Sequence, residues 1–481
     1  MISPSHSLSL FDCICIIVGV IIGSGIYRTT PLITGAAGSP VMALSIWLLG
    51  GLIVINGALA YAELVISRSR RGGDYAFLSA AYGRWLGFLF AWTEFWIIRP
   101  ANVGAMAFVY GEYAHELLKS WLPWGATAPM RHAGIAVTAL TLVNLIGFRS
   151  SARTQNVLTS LKVLGLGLLL LTALFATPAA PAPVHRASQG SPAMEARPLE
   201  SMAPVESVEP GSSVSLAGFQ LAIILVLFTY GGWNDISYVA AEVREPRRNL
   251  PRALVLGSLT VIAIYLLVNM AFLHVLGYQG VVNSKAVAAD MMTHCVGPWG
   301  GQAISLLICL SCLGAISAMI FTGSRIYHAL GADHALVGWL GRWSDRGAPT
   351  FSILAQGAVM LTMVLVLGRD EQGFERLAVF AAPFFWVFFT LVAVSIFILR
   401  WRENHGERPE KLEEASYRAP LYHLNPLLLV VSCGFMLYSS LSHLIRTQLA
   451  ESDASFQSLW SVAVVGIGLG LGISSSRSAK K

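Results

Sequence analysis

Residues 18–27 read VGVIIGSGIY, in the middle of the first long apolar run of the chain. Gly23, Ser24 and Gly25 fall where a membrane-spanning helix is normally most regular. An interruption at that depth leaves backbone N–H and C=O groups without intrahelical partners, which is costly in hydrocarbon. Two readings fit the triplet alone: a notch of small residues that lets helices pack closely, or a helix opened around a ligand. The sixth apolar run repeats the feature, because LFTYGGWND at 227–235 puts Gly231 and Gly232 in mid-span. Paired glycine interruptions in two halves of a membrane chain point to an inverted-repeat transporter with a site near the bilayer midplane.

The rest of the sequence supports a membrane setting. Of 481 residues, 55% are hydrophobic and 12% charged, and the mean hydropathy is +0.63. That leaves too little polar surface to cover a soluble globule of this size, and defines an all-α polytopic membrane protein. Runs of spanning length stand at 10–34, 41–66, 85–117, 132–148, 154–177, 216–241, 252–276, 298–329, 350–367, 374–400, 425–446 and 456–474, which predicts twelve transmembrane helices. With a cytoplasmic N-terminus, 20 of the 32 Lys and Arg residues fall in inside segments and nine in outside segments. The positive-inside rule therefore predicts both termini in the cytosol. The net charge of +6 follows this topology rather than a basic stripe or tail, so nucleic acid is not an expected partner. The N-terminal run has no basic residues before it and no small-residue cleavage site after it, and reads as a retained span.

Residues 178–215, rich in Pro, Ala, Ser and Gly, read as a flexible external loop that cannot bury a core. This loop divides the chain into a first repeat at 1–177, a second at 216–400 and a terminal part at 401–481. The segments 72–84 and 277–297 each have the composition of a short helix outside the main spans.

A pair of interrupted helices has a defined chemistry. The half-helix after the first break offers free N–H groups and a positive dipole end, which suits a carboxylate. Unwound carbonyls around Ile21 and Phe228 offer acceptors to an ammonium. The ligand with both groups a few ångströms apart is an α-amino acid. Lys162, in NVLTSLKVLGL, is about a third of the way into the fifth span. A lone lysine there either snorkels to the membrane surface or points into the protein interior. Glu63, Glu94, Arg99, Asp235, Glu242 and Arg325 also lie within or at the ends of apolar runs, and each needs a partner or a wet surface. Glu242 reads as part of an ion-pair cluster with Arg244, Arg247 and Arg248. Asp235 either faces the site, where it would attract a cationic side chain or a proton, or faces away. Most of the six cysteines lie in apolar runs, and the Cys309/Cys312 pair reads as helix core rather than a redox or metal motif. The eleven histidines lack ligand spacing, so no metal is expected. With no phosphate-cradling loop, a primary pump is excluded, and no cofactor is implied.

The chain resembles the amino acid–polyamine–organocation (APC) transporters, and among them the L-type light-chain branch. The resemblance rests on GVIIGSGIY in the first helix, WTEFWIIRPANVGAM at 92–106 in the third, and YGGWNDISYVAAEVREPRRNLPRAL at 230–254 in the sixth and its following loop. It covers about residues 10–400, and the last two spans match only in hydropathy. It implies a LeuT-like five-plus-five inverted repeat with two peripheral helices and alternating access to one central site. Ser24 and Gly25 would then bind the substrate carboxylate through their N–H groups, and Ile21 would give a carbonyl to the amine. Phe228 would contribute a carbonyl and a gating ring, and Gly231 would leave space for the side chain. Trp233 and Asn234 would line or support the unwound segment, with Trp233 equally suited to packing alone. Lys162 would hold the place where sodium-coupled relatives bind sodium, which implies sodium-independent transport and allows a role in carrying a proton.

The resemblance implies amino-acid exchange or proton-coupled uptake in the plasma (inner) membrane, most simply of neutral substrates, with cationic ones as the alternative. Asp235 stands where an aromatic residue is usual in members carrying large neutral substrates. Animal members join a single-span glycoprotein through a cysteine between spans three and four. LKSWLPWGATAPMRH at 118–132 has none, so no disulfide-linked heavy chain is expected. A non-transporting amino-acid sensor of the same fold is a further alternative, although the C-terminus ends a few residues after the last span and adds no signalling tail. An integral-membrane enzyme would need a catalytic cluster at one face, and none is evident.

Overall fold

In a computed structural model of the chain, the structure describes residues 8–67, 72–119, 121–122, 124–177, 216–284, 286–344, 348–367, 373–405, 417–419, 421–450 and 456–478. The expected loop at 178–215 lies outside these residues. The first expected span is two helices, α1 (Leu10–Ile21) and α2 (Gly25–Ala37), bent by 54° at the break. There follow α3 (Pro40–Ser67), α4 (Asp74–Tyr82), α5 (Arg84–Thr93), a π-helical turn at Glu94–Ile98, α6 (Arg99–Leu118), α7 (Ala128–Ile146) and α8 (Phe148–Phe175). The second half holds α9 (Leu216–Thr229), a 3₁₀ segment (Trp233–Glu242), α10 (Pro246–Val282), α11 (Val287–Val296), α12 (Trp299–Asp333), α13 (Thr350–Leu367), α14 (Gly373–Asn404), α15 (Leu424–Ala450) and α16 (Phe456–Ser478).

Among the described residues, seven helical runs are long and apolar enough to cross a membrane, and α1 with α2 makes an eighth. Helices also stand at the four other expected spans, but they are shorter or more polar: α5 to α6 alone carries Arg84, Glu94, Arg99 and Glu112. The short helices α4 and α11 occupy the two segments outside the main spans. The apolar run expected at 252–276 extends to 246–282 in α10, and Gly277, at φ +69°, kinks it.

Periodicity and capping explain the local start of the bundle. Ser9 caps α1 by accepting from the Asp12 N–H, and Asp12 returns a carboxylate to the Ser9 N–H at 2.7 Å. Just before it, Leu8 pairs through its backbone with Glu242 (3.0 Å) and Arg244 (2.9 Å), tying the start of α1 to the end of the 3₁₀ segment. The long helix α12 is the most enclosed of the apolar runs, with 78% of its most apolar stretch buried. It packs against α1, α6, α8 and the 3₁₀ segment, so the two interruptions face the centre of the bundle.

Charges placed in apolar runs find partners, as low dielectric requires. Arg400 of α14 forks onto Glu63 of α3 at 2.6 and 2.7 Å. Arg325 of α12 meets Glu242 at 3.2 Å, and Arg28 of α2 pairs with Glu112 of α6.

Candidate functional site

The first interruption opens the helix at both its carbonyl and its amide end. α1 stops at Ile21, and the Gly23 N–H turns back to the Ile21 carbonyl at 2.9 Å. α2 restarts with Ser24 in the capping position, yet the Ser24 side chain makes no cap bond and lies 3.7 Å from the Met106 sulfur. The N–H groups of Ser24, Gly25 and Ile26 donate to no acceptor among the described residues. Three aligned donors at the positive end of a half-helix form a ready anion site.

The second interruption is a turn through Tyr230, Gly231 and Gly232, with the Gly231 N–H donating to the Phe228 carbonyl at 3.0 Å. Gly232 has φ +102°, and a Cβ there would stand 2.4 Å from Val20 Cγ1, so both its backbone and its contact with α1 demand glycine. The two interruptions thus touch. Two side chains link them further. The Tyr265 hydroxyl of α10 donates to the Ile21 carbonyl (3.0 Å) and reaches the Thr229 carbonyl (3.4 Å), and the Thr29 and Thr229 hydroxyls are 3.0 Å apart. With Gly23 and Tyr265 both on it, the Ile21 carbonyl has its two lone pairs in use. The Phe228 carbonyl accepts one hydrogen bond and keeps the other lone pair.

Lys162 does not snorkel. Its side chain is 0% exposed, and its ammonium donates to the Gly19 carbonyl at 2.9 Å and also to the Ile22 carbonyl. A Cβ on Gly314 of α12 would stand 3.3 Å from Nζ, so the ammonium is clasped between α1, α8 and α12. It supplies the donors that the last turn of α1 lacks.

Between the interruptions lies a cavity of about 160 Å³, lined by Ile21, Gly25, Phe228, Gly231 and Asn234 among others. An engineered cavity of about 150 Å³ holds benzene, so this space is large enough to take a small organic molecule. The Phe228 ring is 42% exposed and borders the opening. Ser24 is buried beside the cavity without its side chain lining it. Trp233 lines a smaller neighbouring cavity instead, its ring packed edge-on to Tyr61 (5.3 Å) and Phe389 (5.7 Å).

At the polar end of the cavity, Arg99 reaches Asp235 at 2.7 Å and Glu94 at 2.8 Å, and the Thr322 hydroxyl of α12 donates to Asp235 at 2.7 Å. Arg99 also lies over the Tyr238 ring at 5.5 Å, and Asn102 and Tyr238 both line the cavity. Two departures from the α-helix place these groups: the π turn carries Glu94 on the helix of Arg99, and the 3₁₀ segment carries Asn234, Asp235 and Tyr238. Such turns are uncommon and recur at functional sites. Sequence reasoning named Glu94, Arg99 and Asp235 as charges in need of partners but did not pair them. It missed Tyr265, one tyrosine in an otherwise apolar stretch with no local signal.

A bundle of apolar helices, two of them interrupted at glycines that meet beside a cavity with one polar end, is the architecture of a polytopic membrane protein with room for a small molecule between its helices. The pattern of the amino acid permease family matches residues 8–469, and the chain belongs to that family, within the L-type branch of the APC superfamily. The serine/threonine exchanger SteT of Bacillus subtilis is 28% identical over 442 residues, covering 90% of this chain and 91% of the relative. The b(0,+)-type amino acid transporter 1 of Mus musculus is 27% identical over 85% of this chain and 79% of its own. The large neutral amino acids transporter small subunit 2 of Rattus norvegicus is 26% identical over 92% and 77%. These relatives are transporters, not enzymes.

Proposed function

We propose that this protein is a sodium-independent secondary transporter of amino acids, an exchanger or proton-coupled permease, that works by alternating access. The observation that carries the reading is the Lys162 ammonium, held on the Gly19 and Ile22 carbonyls where α1 unwinds. A fixed charge there does what a bound sodium ion would do, holding the helix end open without a coupling cation. The adjacent N–H groups of Ser24 and Gly25 then take the substrate carboxylate, and the Phe228 carbonyl takes its ammonium. Gly231 and Asn234 border the side chain, the Phe228 ring gates the cavity, and Trp233 supports the unwound segment from behind.

Within this reading the chain has twelve spans in a LeuT-like five-plus-five repeat. Residues 1–177 and 216–400 form the two repeats, joined by the external loop at 178–215, and 401–481 carry the two peripheral helices. Both termini face the cytosol of a plasma (inner) membrane, and the protein works without a disulfide-linked heavy chain. The relatives include a serine/threonine exchanger and a large neutral amino acids transporter small subunit, which supports neutral substrates.

Uptake of labelled amino acids into proteoliposomes tests this directly. With sodium replaced by choline, uptake is unchanged. A steep sodium dependence would overturn the role given to Lys162, and binding without any flux would leave an amino-acid receptor in place of a transporter.

A further inference from the structure

The polar end of the cavity carries more negative than positive charge. Glu94 and Asp235 flank one guanidinium, Arg99, and all three side chains are about 5–8% exposed. The other titratable groups around them are the phenols of Tyr238 and of Tyr327 in α12, and Asp74 of α4. Asp74 accepts from the Tyr238 hydroxyl at 2.7 Å. α4 lies between the main spans, and burial pushes the Asp74 carboxyl up to about 8, which favours its neutral form. The faces that α1 and α14 turn to the cavity are apolar or neutral, with Val20, Ala382 and Phe385 among them.

One enclosed carboxylate is therefore left over. A buried charge without a counterion is expensive, and the group responds by taking up a proton or a cation. Both contacts to Asp235 fall on Oδ2, and Glu94 is met through Oε1, while both residues line the space next to the substrate.

We propose that Glu94, Arg99 and Asp235 form a side-chain subsite that holds one positive charge, brought either by a cationic side chain of the substrate or, beside a neutral substrate, by a proton. The subsite accepts lysine-like and neutral amino acids in one cavity and rejects acidic ones, whose carboxylate would add to the surplus. Neutral substrates then carry a proton with them, and cationic substrates do not. This inference rests on the substrate site proposed above.

The test compares initial uptake of labelled serine and labelled lysine into proteoliposomes from pH 5 to 7.5, where both substrates keep their zwitterionic main chain. Serine affinity falls as pH rises, by up to about tenfold per unit above the subsite's titration, while lysine affinity stays flat. Glu94→Gln removes the surplus carboxylate: it flattens the serine profile and weakens lysine competition at least tenfold, and Asp235→Asn reads the same effect on the other carboxylate. Identical pH profiles for the two substrates in the wild type would overturn the proposal, as would an unchanged serine profile in Glu94→Gln. Failure of any amino acid to bind would instead overturn the substrate site itself, so the two failures are distinct.

Discussion

Replacing Lys162 by methionine keeps the length of the side chain and removes only its charge. The ammonium makes two charge-assisted hydrogen bonds to carbonyls at the end of α1, each worth about 1.5–3 kcal/mol. Without it, the Gly19 and Ile22 carbonyls are left in a dry interior with no donor. The local cost is about 3–6 kcal/mol, and the chain can recover part of it by letting α1 wind further toward Gly23. That closes the opening on which the Ser24 and Gly25 N–H groups depend. If half of the cost falls on the binding-competent conformation, affinity drops by about 10- to 150-fold, at 1.4 kcal/mol per tenfold. The assay is substrate binding and initial uptake in proteoliposomes, at equal reconstituted protein and with a monodisperse gel-filtration profile as the check on folding. Uptake within twofold of the wild type would show that the helix end holds itself open, and that the lysine is a passenger.

Two further predictions bear on the geometry of the interruptions. Gly25→Leu places a Cβ 3.0 Å from the Thr229 methyl, with the rest of the leucine entering the cavity, and should abolish substrate binding in an equilibrium assay while surface expression persists. Tyr265→Phe removes the hydroxyl that bridges the Ile21 and Thr229 carbonyls, at about 1–3 kcal/mol for the lost hydrogen bonding, and should lower uptake by about 5- to 150-fold without changing which substrates compete.

How much of this was legible in the sequence depended on the range of each interaction. Gly23 and Gly25 alone fit a packing notch as well as an interruption, as Gly50 and Gly51 inside the unbroken α3 show, and it is their repetition at Gly231 and Gly232 in the sixth run that points to paired interruptions. Lys162 was legible on its own, since a charge at that depth must be accounted for wherever the rest of the chain lies. Its acceptors are 143 and 140 residues away, and no local pattern specifies them. The same holds for Asp235, whose direction was open until Arg99 and Thr322 were found on it. Trp233 was ambiguous because a tryptophan beside a break serves equally as a lid or a wedge, and only the positions of Tyr61 and Phe389 decide that it is packed. The π turn at Glu94–Ile98 leaves no composition signal, since it differs from an α-helix in hydrogen-bond register alone.

The arrangement of charge also gives the site a direction. Lys162 spends its positive charge on the Gly19 and Ile22 carbonyls, which cancels the negative end of α1 and leaves the positive end of α2 as the field felt in the cavity. At the other end, before a proton or a cationic side chain is taken up, the surplus carboxylate of the Glu94, Arg99 and Asp235 group makes the cavity negative. At the proposed site, a zwitterion in this field would set its carboxylate on the N–H groups of Ser24 and Gly25 and turn its cationic side toward the Phe228 carbonyl and the 3₁₀ segment. The opposite orientation would place a carboxylate beside Glu94 and Asp235 and an ammonium against unpaired N–H donors, two repulsive contacts in a medium that screens neither. On this proposal backbone polarity sets the orientation of the main chain, and the polar end of the cavity selects the side chain.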